Sequence, residues 1–409
     1  MKFKLIYPKW EKLDRQTRFT LPPHGPVVMA AALPADVGVK FIDENVDPID
    51  FDAAVDFVGV SMMLTAQVKR GWEIADAFRA RGIKVICGGI ATMLHAEESE
   101  LLADAIYMGE AEGRMEQDFV DFKANKLQKV YNFMQDQPPI ESVGTARRSI
   151  LNRDMYNYRG VQMVDLVHAS RGCRFNCYPC AVRFLGGRSF RPRPYDKVIE
   201  ELTSIDNNRL FIVDNSLAQD KDWEMGLFRE MIPLKKKWCS HPIDDDDQVL
   251  DLAAQAGAWF VYQAIFDSSD YIRDRIKRYH DYGIGVEGSI LLGLDYHTED
   301  YIKRWMDFLL EIELDMAEFT VLTPFPHTRT FDDLNNAGRI FSRDWNDYTC
   351  GKVVFQPKLM SPEKLQEMYA YCWDRFYEEE PQNYKMFRML KRVMDKEKAD
   401  GTFKPRVRS

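Results

Sequence analysis

The chain has 409 residues, of which 29% are charged, and a net charge of −9, so it is long enough for two or three domains with substantial cores. An acidic surface repels phosphate, which argues against nucleic-acid binding. No eighteen apolar residues run together, which excludes a spanning helix, and the first residues lack the apolar region of a signal peptide. Three of the seven cysteines are clustered, so we expect a reducing, cytoplasmic compartment and no disulfide framework.

Strand and helix patterns alternate over residues 1–125 and predict a doubly wound α/β domain. The predicted strands are 4–7, 39–43, 56–61, 84–87 and 105–108, and the predicted helices are 26–33, 66–81 and 97–102. Ligands bind outside the carboxyl ends of such strands, so one edge of the sheet should hold Ser61, Gly88, Gly89, Gly109 and Glu110. Turns alone explain these glycines equally well.

Residues 126–163, with Gln137-Pro138-Pro139, have the composition of a linker. Six further strand and helix units over residues 164–342 predict a parallel partial barrel whose strand ends share one face. Its strands are expected at 164–169, 210–213, 237–240, 259–265, 286–292 and 319–322. Residues 343–409 should form a C-terminal region with helices at 362–379 and 383–397 and a basic, mobile tail.

Three cysteines, Cys173, Cys177 and Cys180, follow the first predicted barrel strand at spacings of four and three residues. Soft thiolates suit iron–sulfur chemistry, and three of them on one loop can hold three irons of a cubane cluster. The fourth iron is then open to chelate a small molecule and pass it an electron. A structural zinc site needs four ligands in two pairs, and no second pair lies nearby in the sequence.

The Cys-x3-Cys-x2-Cys pattern, preceded by Ser170-Arg171-Gly172, resembles the signature of the radical S-adenosylmethionine (SAM) superfamily. The order of elements up to about residue 356 resembles the subgroup that fuses an N-terminal B12-binding-type domain to a radical SAM barrel. That subgroup includes hopanoid and bacteriochlorophyll-pathway methylases and cyclases. The resemblance implies a [4Fe–4S] cluster, SAM and cobalamin as cofactors, an electron donor such as flavodoxin or ferredoxin, and a small-molecule, lipid or tetrapyrrole-like substrate.

The resemblance also assigns candidate residues. The edge residues of the first sheet resemble the loops that hold cobalamin. The SAM-contacting positions are Asp214, Asn215 and Ser216 for the methionine amino group, Gln263, Asp267 and Ser268 for the ribose, Gly288, Leu291 and Gly293 beside the adenine, and Leu322 and Pro324 near the nucleoside. A helix N-cap explains Asp214 or Ser216 alone equally well.

The chain departs from its relatives at several points. It lacks the Asp-x-His-x-x-Gly pattern that supplies a histidine to cobalt, and His24 is expected to be a solvated loop residue. Pro179 stands where relatives usually have an aromatic residue, and the segment after Asp267 is shortened. His241, at the end of the third barrel strand, is a candidate for moving a proton, although a structural histidine explains it as well.

The sequence therefore predicts a radical SAM enzyme that carries out cobalamin-dependent methylation of an unactivated carbon. One alternative is hydroxylation or ring closure of a tetrapyrrole-like substrate, and another is cleavage of SAM at a different bond. A different class, a non-catalytic corrinoid or cluster carrier, would bind cofactor without turning SAM over. The sequence leaves the substrate and the oligomeric state undetermined.

Overall fold

The computed structural model of the chain describes residues 1–11, 15, 20–158 and 161–404. Within these residues the chain forms two six-stranded sheets and two short antiparallel ribbons. All pairings within the two large sheets are parallel. The predicted α/β class is confirmed. None of the helices in these ranges has the length and apolar character needed to cross a bilayer.

The first sheet has the strand order β2-β1-β3-β4-β5-β6. Its strands are β1 (Lys2–Tyr7), β2 (Gly38–Asp43), β3 (Phe57–Ser61), β4 (Lys84–Gly88), β5 (Ala105–Met108) and β6 (Val130–Asn132). The helices that cover it are α1 (His24–Ala31), α2 (Val68–Arg79), α3 (Ile90–Leu94), α4 (Ala96–Leu102) and α5 (Glu116–Lys123). The strand β6 pairs with β5, so part of the segment expected to be a linker belongs to this sheet.

Both faces of the first sheet are covered, which is why its strands are continuous apolar runs. On one face Phe3 packs edge-on against Phe119 of α5, with ring centroids 5.1 Å apart. On the other face α2 buries Ile74 and Phe78. Gly71 of α2 lets this helix approach closely, because an added Cβ would lie 2.1 Å from the Met62 sulfur.

Two short ribbons lie outside the large sheets, one between the two sheets along the chain and one inserted after the first strand of the second sheet. The first ribbon is β7 (Asn157–Tyr158) with β8 (Val161–Gln162), and the second is β10 (Ser170–Arg171) with β11 (Arg191–Pro192). The second ribbon pairs Arg171 with Arg191. It therefore brackets the cysteine loop and closes its two ends onto each other.

The second sheet has the order β16-β15-β14-β13-β12-β9, which is sequential apart from the inserted ribbon, as in an open barrel. Its strands are β9 (Asp165–Val167), β12 (Arg209–Ile212), β13 (Lys237–Ser240), β14 (Ala258–Ile265), β15 (Gly285–Leu292) and β16 (Met316–Val321). The remaining helices are α6 (Val182–Leu185), α7 (Tyr195–Ser204), α8 (Lys221–Met231), α9 (Asp247–Gln255), α10 (Asp270–Asp281), α11 (Glu299–Glu311), α12 (Arg329–Asn336), α13 (Pro362–Phe376) and α14 (Gln382–Ala399).

The C-terminal region holds the two parts together. Helix α14 packs Met386 and Leu390 into a cluster with residues of the barrel interior, and its Glu397 accepts two hydrogen bonds from Arg209 at 3.0 and 2.8 Å. Trp345 packs in the core of the first domain and donates its indole N–H to Glu98 at 2.9 Å. The predicted basic tail, from residue 405 onward, lies outside the described residues.

Candidate functional site

The three clustered cysteines lie on one loop after β10. Cys173 is half-buried, whereas Cys177 and Cys180 are exposed. The loop is a tight turn, because the Cys180 amide donates to the Cys177 carbonyl at 3.1 Å. The Val182 amide donates to the Cys180 sulfur at 3.4 Å. Desolvation raises the pKa of the Cys180 thiol despite that bond, so thiolate formation there is favoured by a bound cation.

Gly172, which precedes the first cysteine, adopts a conformation that the loop requires. Its φ is +73°, and an added Cβ would lie 2.1 Å from the Ser189 carbonyl oxygen. Ser189 lies on the returning side of the loop, just before β11. Only glycine therefore lets the two sides of the cysteine loop approach this closely.

A glutamine that the sequence did not single out anchors the start of the cysteine loop. The fully buried Gln219 accepts a hydrogen bond from the Arg174 amide at 2.9 Å. It donates to the Gly172 carbonyl at 3.4 Å and to the Ser216 carbonyl at 2.9 Å. The predicted residue Asn215 also donates to Gly172, at 3.2 Å. No motif marks Gln219, because its role depends on a contact between segments 45 residues apart.

We expect Gln219→Leu to loosen this loop. The substitution keeps the side-chain volume but leaves the Arg174 amide and the Ser216 carbonyl without this partner, while the Gly172 carbonyl keeps only its bond from Asn215. Each buried group left unpaired costs about 1–3 kcal/mol. Iron retained after anaerobic reconstitution and gel filtration should fall below the wild-type value. The control is Gln255→Leu, which removes one surface bond to Asp251. Equal iron retention in both variants would contradict the anchoring role.

The donor set of the loop fits a cubane cluster. Among the described residues, no three His, Cys, Asp or Glu side chains converge as ligands of a single metal ion. A cubane does not need such convergence, because each thiolate binds a different iron. Three thiols within eight residues, at least two of them exposed, supply soft ligands for three irons, so a fourth iron would have no ligand from this loop.

Asp214 is buried directly beneath the cysteine loop. Its carboxylate accepts a hydrogen bond from the Ala169 amide at 2.8 Å and a short one from the Ser170 hydroxyl. Burial raises its pKa to about 6. Both carboxylate oxygens thus hold the chain that leads into the loop, and the residue lines the cavity described below.

His241 lies next to Asp214, at the end of β13. Its Nδ1 donates to the Asp214 carbonyl at 2.6 Å, and burial lowers the pKa of the ring. The ring is therefore neutral at pH 7, with its lone pair on Nε2. It also lines the cavity, as expected for a residue at a barrel strand end.

A cavity of about 890 Å³ lies between the first sheet and the barrel. All five residues predicted at the edge of the first sheet line it: Ser61, Gly88, Gly89, Gly109 and Glu110. From the barrel side, Gly172, Asp214, Asn215 and His241 line the same space. The structure therefore brings the predicted cobalamin loops and the start of the cysteine loop to one cavity.

The glycines at this edge have two different roles. Gly89 and Gly109 have φ values of +91° and +117°, so the turns themselves require glycine. Gly88 has no positive φ, and an added Cβ would make only ordinary contacts at 3.7 Å with Tyr107. The fold does not need glycine there, and its missing side chain leaves room in the cavity, which fits the close approach of a bulky ligand such as cobalamin.

A buried polar network links the two domains across the cavity wall. Arg171 forms ion pairs with Glu110 at 2.9 Å and with Glu112 at 2.5 Å. Its Nε donates to His168 Nε2 at 3.1 Å, and His168 Nδ1 lies 2.7 Å from His24 Nε2. His168 must then donate through Nδ1 to His24. The expectation that His24 is a solvated loop residue is wrong, since it begins α1 and bonds to the barrel.

This network should make stability fall in mild acid. Burial, with nearby arginines, lowers the pKa of His24 to about 3 and that of His168 well below 6.5. Below pH 6.5 the unfolded chain binds protons that the folded chain excludes, so the stabilisation present above pH 6.5 is lost as the pH falls toward 3.

Each such histidine should contribute a loss of about 1.4 kcal/mol per pH unit in this window. Denaturant unfolding of wild type at pH 7.5, 6.0 and 5.0 measures the slope. His24→Gln should give a shallower slope. His327→Gln, whose ring stacks on Phe184, serves as the control and should match wild type. An unchanged slope in His24→Gln would rule out this account.

Several predicted SAM-contacting residues do not line the cavity. Gln263 of β14 and Gly288 of β15 are register partners and face away from it, since Tyr262 and Glu287, the residues next to them, line it. An added Cβ at Gly288 would meet Leu314 at 2.7 Å, so this glycine serves core packing. The other predicted residues outside the lining are Ser216, Asp267, Ser268, Leu291, Gly293, Leu322 and Pro324.

These outlying residues are all at or beyond strand ends of the barrel. Asp267 and Ser268 are exposed, and Asp267 accepts a hydrogen bond from the Ser269 amide at 3.0 Å. Gly293 has a φ of +95° and donates its amide to His297 at 3.2 Å. SAM contacts at these positions stay predictions. Conversely, three polar residues in the middle of the barrel line the cavity although no sequence motif marks them: Tyr262, Glu287 and Glu318.

Comparisons with known proteins agree with this architecture. The bacteriochlorophyllide d C-12(1)-methyltransferase of Chlorobaculum tepidum is 25% identical over 370 residues, covering 84% of this chain and 80% of that protein. The anaerobic magnesium-protoporphyrin IX monomethyl ester cyclase of Cereibacter sphaeroides is 22% identical over 255 residues, covering 56% of this chain and 41% of that protein. No family model matches the chain.

Among solved structures, the radical SAM methyltransferase TsrM from Kitasatospora setae, with cobalamin and a [4Fe–4S] cluster bound, superimposes with a TM-score of 0.63 at 14% identity. The match covers 90% of this chain and 85% of TsrM. The fold is therefore that of radical SAM proteins with an N-terminal B12-binding-type domain, as the sequence predicted. In sequence the chain is similar to bacteriochlorophyllide methyltransferases and, over a shorter stretch, to an anaerobic cyclase.

Proposed function

We propose that the protein is a radical SAM enzyme that reductively cleaves SAM at a [4Fe–4S] cluster and methylates an unactivated carbon in a cobalamin-dependent reaction. The observation that carries this proposal is the shared cavity. Its walls include the carboxyl edge of the first sheet at Ser61 and Gly88 and the entry to the cysteine loop at Gly172. Methyl transfer between two cofactors and a substrate requires such a common space.

In this proposal, a cluster bound to Cys173, Cys177 and Cys180 supplies the electron for SAM cleavage, and cobalamin at the edge of the first sheet supplies the methyl group. The protein positions these groups. Gln219 and Asp214 hold the lead-in and start of the cysteine loop.

His241 has a neutral ring whose Nδ1 is committed to the Asp214 carbonyl. Its Nε2 can accept a hydrogen bond or a proton from a group bound in the cavity. We also propose that the SAM-binding set predicted from the resemblance applies in the SAM-bound state, that flavodoxin or ferredoxin supplies the electron, and that the protein works in the cytoplasm.

Ring closure of a tetrapyrrole-like substrate is the second candidate, favoured by the similarity to the anaerobic cyclase over 56% of this chain. Product mass separates the two reactions. Methylation adds one methyl group per turnover, whereas cyclisation forms a ring and hydroxylation adds oxygen. Cleavage of SAM at another bond is motivated by Pro179, which has no amide N–H to donate to a cluster sulfide or to the nucleoside.

The test is anaerobic reconstitution of the full chain with iron, sulfide and hydroxocobalamin, followed by incubation with SAM and a strong reductant. The expected result is a [4Fe–4S] spectrum, bound cobalamin and 5′-deoxyadenosine. Methylthioadenosine in its place would indicate the other cleavage. Bound cofactors without SAM turnover would indicate a non-catalytic carrier and sink the proposal.

A further inference from the structure

Two glutamates in the middle of the barrel are not used by the proposed cofactor sites. Glu287 of β15 and Glu318 of β16 line the cavity from adjacent strands. The register pairs Ser289 with Glu318, so the two glutamates lie two residues apart along the strands and on the same face. Each is close enough to influence the other, since the charge of Glu318 contributes to the raised pKa of Glu287.

Among the described residues, neither carboxyl group has a hydrogen-bond or ion-pair partner, since only burial and the neighbouring glutamate act on their pKa values. Burial raises the pKa of both groups. Buried carboxylates are normally paired or hydrogen-bonded, because an uncompensated charge in a low-dielectric interior is costly. Their natural complement is therefore a group that enters the cavity.

The other charged side chains of the cavity are already compensated. Arg171 is bound by Glu110 and Glu112, and Arg209 by Glu397. Asp214 accepts two hydrogen bonds from the chain before the cysteine loop. The acidic groups left without a partner among the described cavity residues are thus Glu287 and Glu318, whose charged forms a bound cation would stabilise.

Three aromatic side chains also line the cavity. The Tyr262 ring stacks on Phe211 with centroids 5.1 Å apart, and Phe260 packs edge-on against Tyr262 at 5.8 Å. Carboxylates beside aromatic faces form an environment that attracts an organic cation, through charge pairing and through the ring quadrupole.

The pair lies deep in the barrel, away from the strand ends near the cysteine loop. Glu287 is five residues before the end of β15 at Leu292, and at about 3.3 Å per residue this is about 16 Å below the carboxyl edge. A group bound there belongs to the interior end of the cavity. That is where the far part of a substrate would lie if its reacting carbon were near the cofactors.

We propose that the substrate carries a cationic nitrogen, as an ammonium, a guanidinium or a protonated heterocycle, and that this nitrogen binds between Glu287 and Glu318 and against Tyr262. That the bound cation is a substrate rests on the proposed methylase function. It distinguishes this chain from an enzyme whose substrate presents a carboxylate at this position, which the pair would repel.

The experiment measures binding of matched probes to the full-length protein by isothermal titration calorimetry. Phenethylamine and tryptamine are compared with 3-phenylpropionate and 3-(indol-3-yl)propionate, which have similar shape and the opposite charge. We expect each amine to bind at least about tenfold more tightly than its acid. Wild type that binds neither amine more tightly than its matched acid overturns the proposal.

Glu287→Gln and Glu318→Gln should each weaken amine binding by about tenfold, because the isosteric amide keeps shape and removes charge. The control is Glu224→Gln in α8, a buried carboxylate outside the cavity that accepts from the Asp244 amide at 3.3 Å. It should bind amine like wild type. Unchanged amine affinity in both cavity variants overturns the proposal.

Two further measurements test two alternatives: that the glutamates have a partner within the protein, and that they bind SAM. The melting temperatures of Glu287→Gln and Glu318→Gln should equal or exceed that of wild type, since neither carboxyl group has an internal partner to lose and burial disfavours its charged form. A clear decrease would reveal an internal partner and count against the proposal. Saturating SAM should leave amine binding intact, whereas competition, together with weaker SAM binding in Glu287→Gln, would assign the pair to SAM.

We expect amine binding to be independent of the cluster, because none of the residues of the proposed amine site is a proposed cluster ligand. Cys177→Ala should therefore bind tryptamine like wild type even where SAM turnover is lost. Normal SAM cleavage in wild type with no preference for amines would refute the substrate class alone. Selective amine binding without SAM cleavage would support the cationic site and refute the proposed reaction.

Discussion

Cys177→Ala is expected to abolish the iron–sulfur cluster and all SAM cleavage. The three thiols of the loop are the proposed ligands for three irons. Among the described residues no group of three or more His, Cys, Asp or Glu is arranged to hold a single metal ion, so none could replace a lost thiol. Removing the middle thiol leaves two ligands, too few for a stable site-differentiated cubane. Iron and sulfide content, the visible absorption spectrum and 5′-deoxyadenosine formation measure the effect.

The control for this variant is Cys372→Ala. Cys372 is buried in α13, far from the loop in sequence, and packs in the core of the barrel. Its removal should lower stability slightly and leave iron content and SAM cleavage near wild type. If Cys177→Ala kept both the cluster and SAM cleavage, the assignment of the loop as the cluster site would be wrong.

Arg171→Met is expected to destabilise the fold by about 3–5 kcal/mol, the usual cost of removing one partner from a buried ion pair. The Arg171 side chain is 15% exposed and that of Glu112 is 7% exposed. Methionine leaves Glu112 without its cationic partner and removes the donor to His168. Unfolding in denaturant, followed by circular dichroism, gives the free-energy difference.

The matched control is Arg273→Met, which breaks a surface pair whose Arg273 and Glu311 side chains are 37% and 64% exposed. Water already screens that pair, so the expected loss is below about 1 kcal/mol. The double variant Arg171→Met with Glu112→Gln should recover part of the loss, since it removes the stranded charge. Equal costs for Arg171→Met and Arg273→Met would show that the interdomain network does not stabilise the protein.

The location of the cysteine loop was predictable because its signals are local. Thiol spacing depends on neighbours within eight positions, and strand order follows from apolar runs separated by helices. The same reasoning placed Ser61 and Gly88 at the cavity, since the carboxyl ends of parallel strands share one edge. The strand β6 was missed because three residues carry no distinguishable period.

Side-chain direction within the barrel was less predictable. Gln263 and Gly288 are in the expected strands, but the alternation of side chains turns them to the core and turns Tyr262 and Glu287 to the cavity. A one-residue difference decides the face in a strand. A family resemblance can assign a residue to a strand end, but it does not determine which face of the sheet the side chain points to.

The sequence by itself determined the fold class, the position of the cysteine loop and the edge of the first sheet that faces the cavity. Only the tertiary structure showed that His24 bonds to His168, 144 residues away, and that Gln219 anchors the cysteine loop. Only the structure showed, too, that Glu287 and Glu318 lie inside the barrel with no partner among the described residues. The physical reason is that pairing and burial of polar groups depend on neighbours brought together by folding. No local pattern records which charge finds a partner and which is left for a ligand.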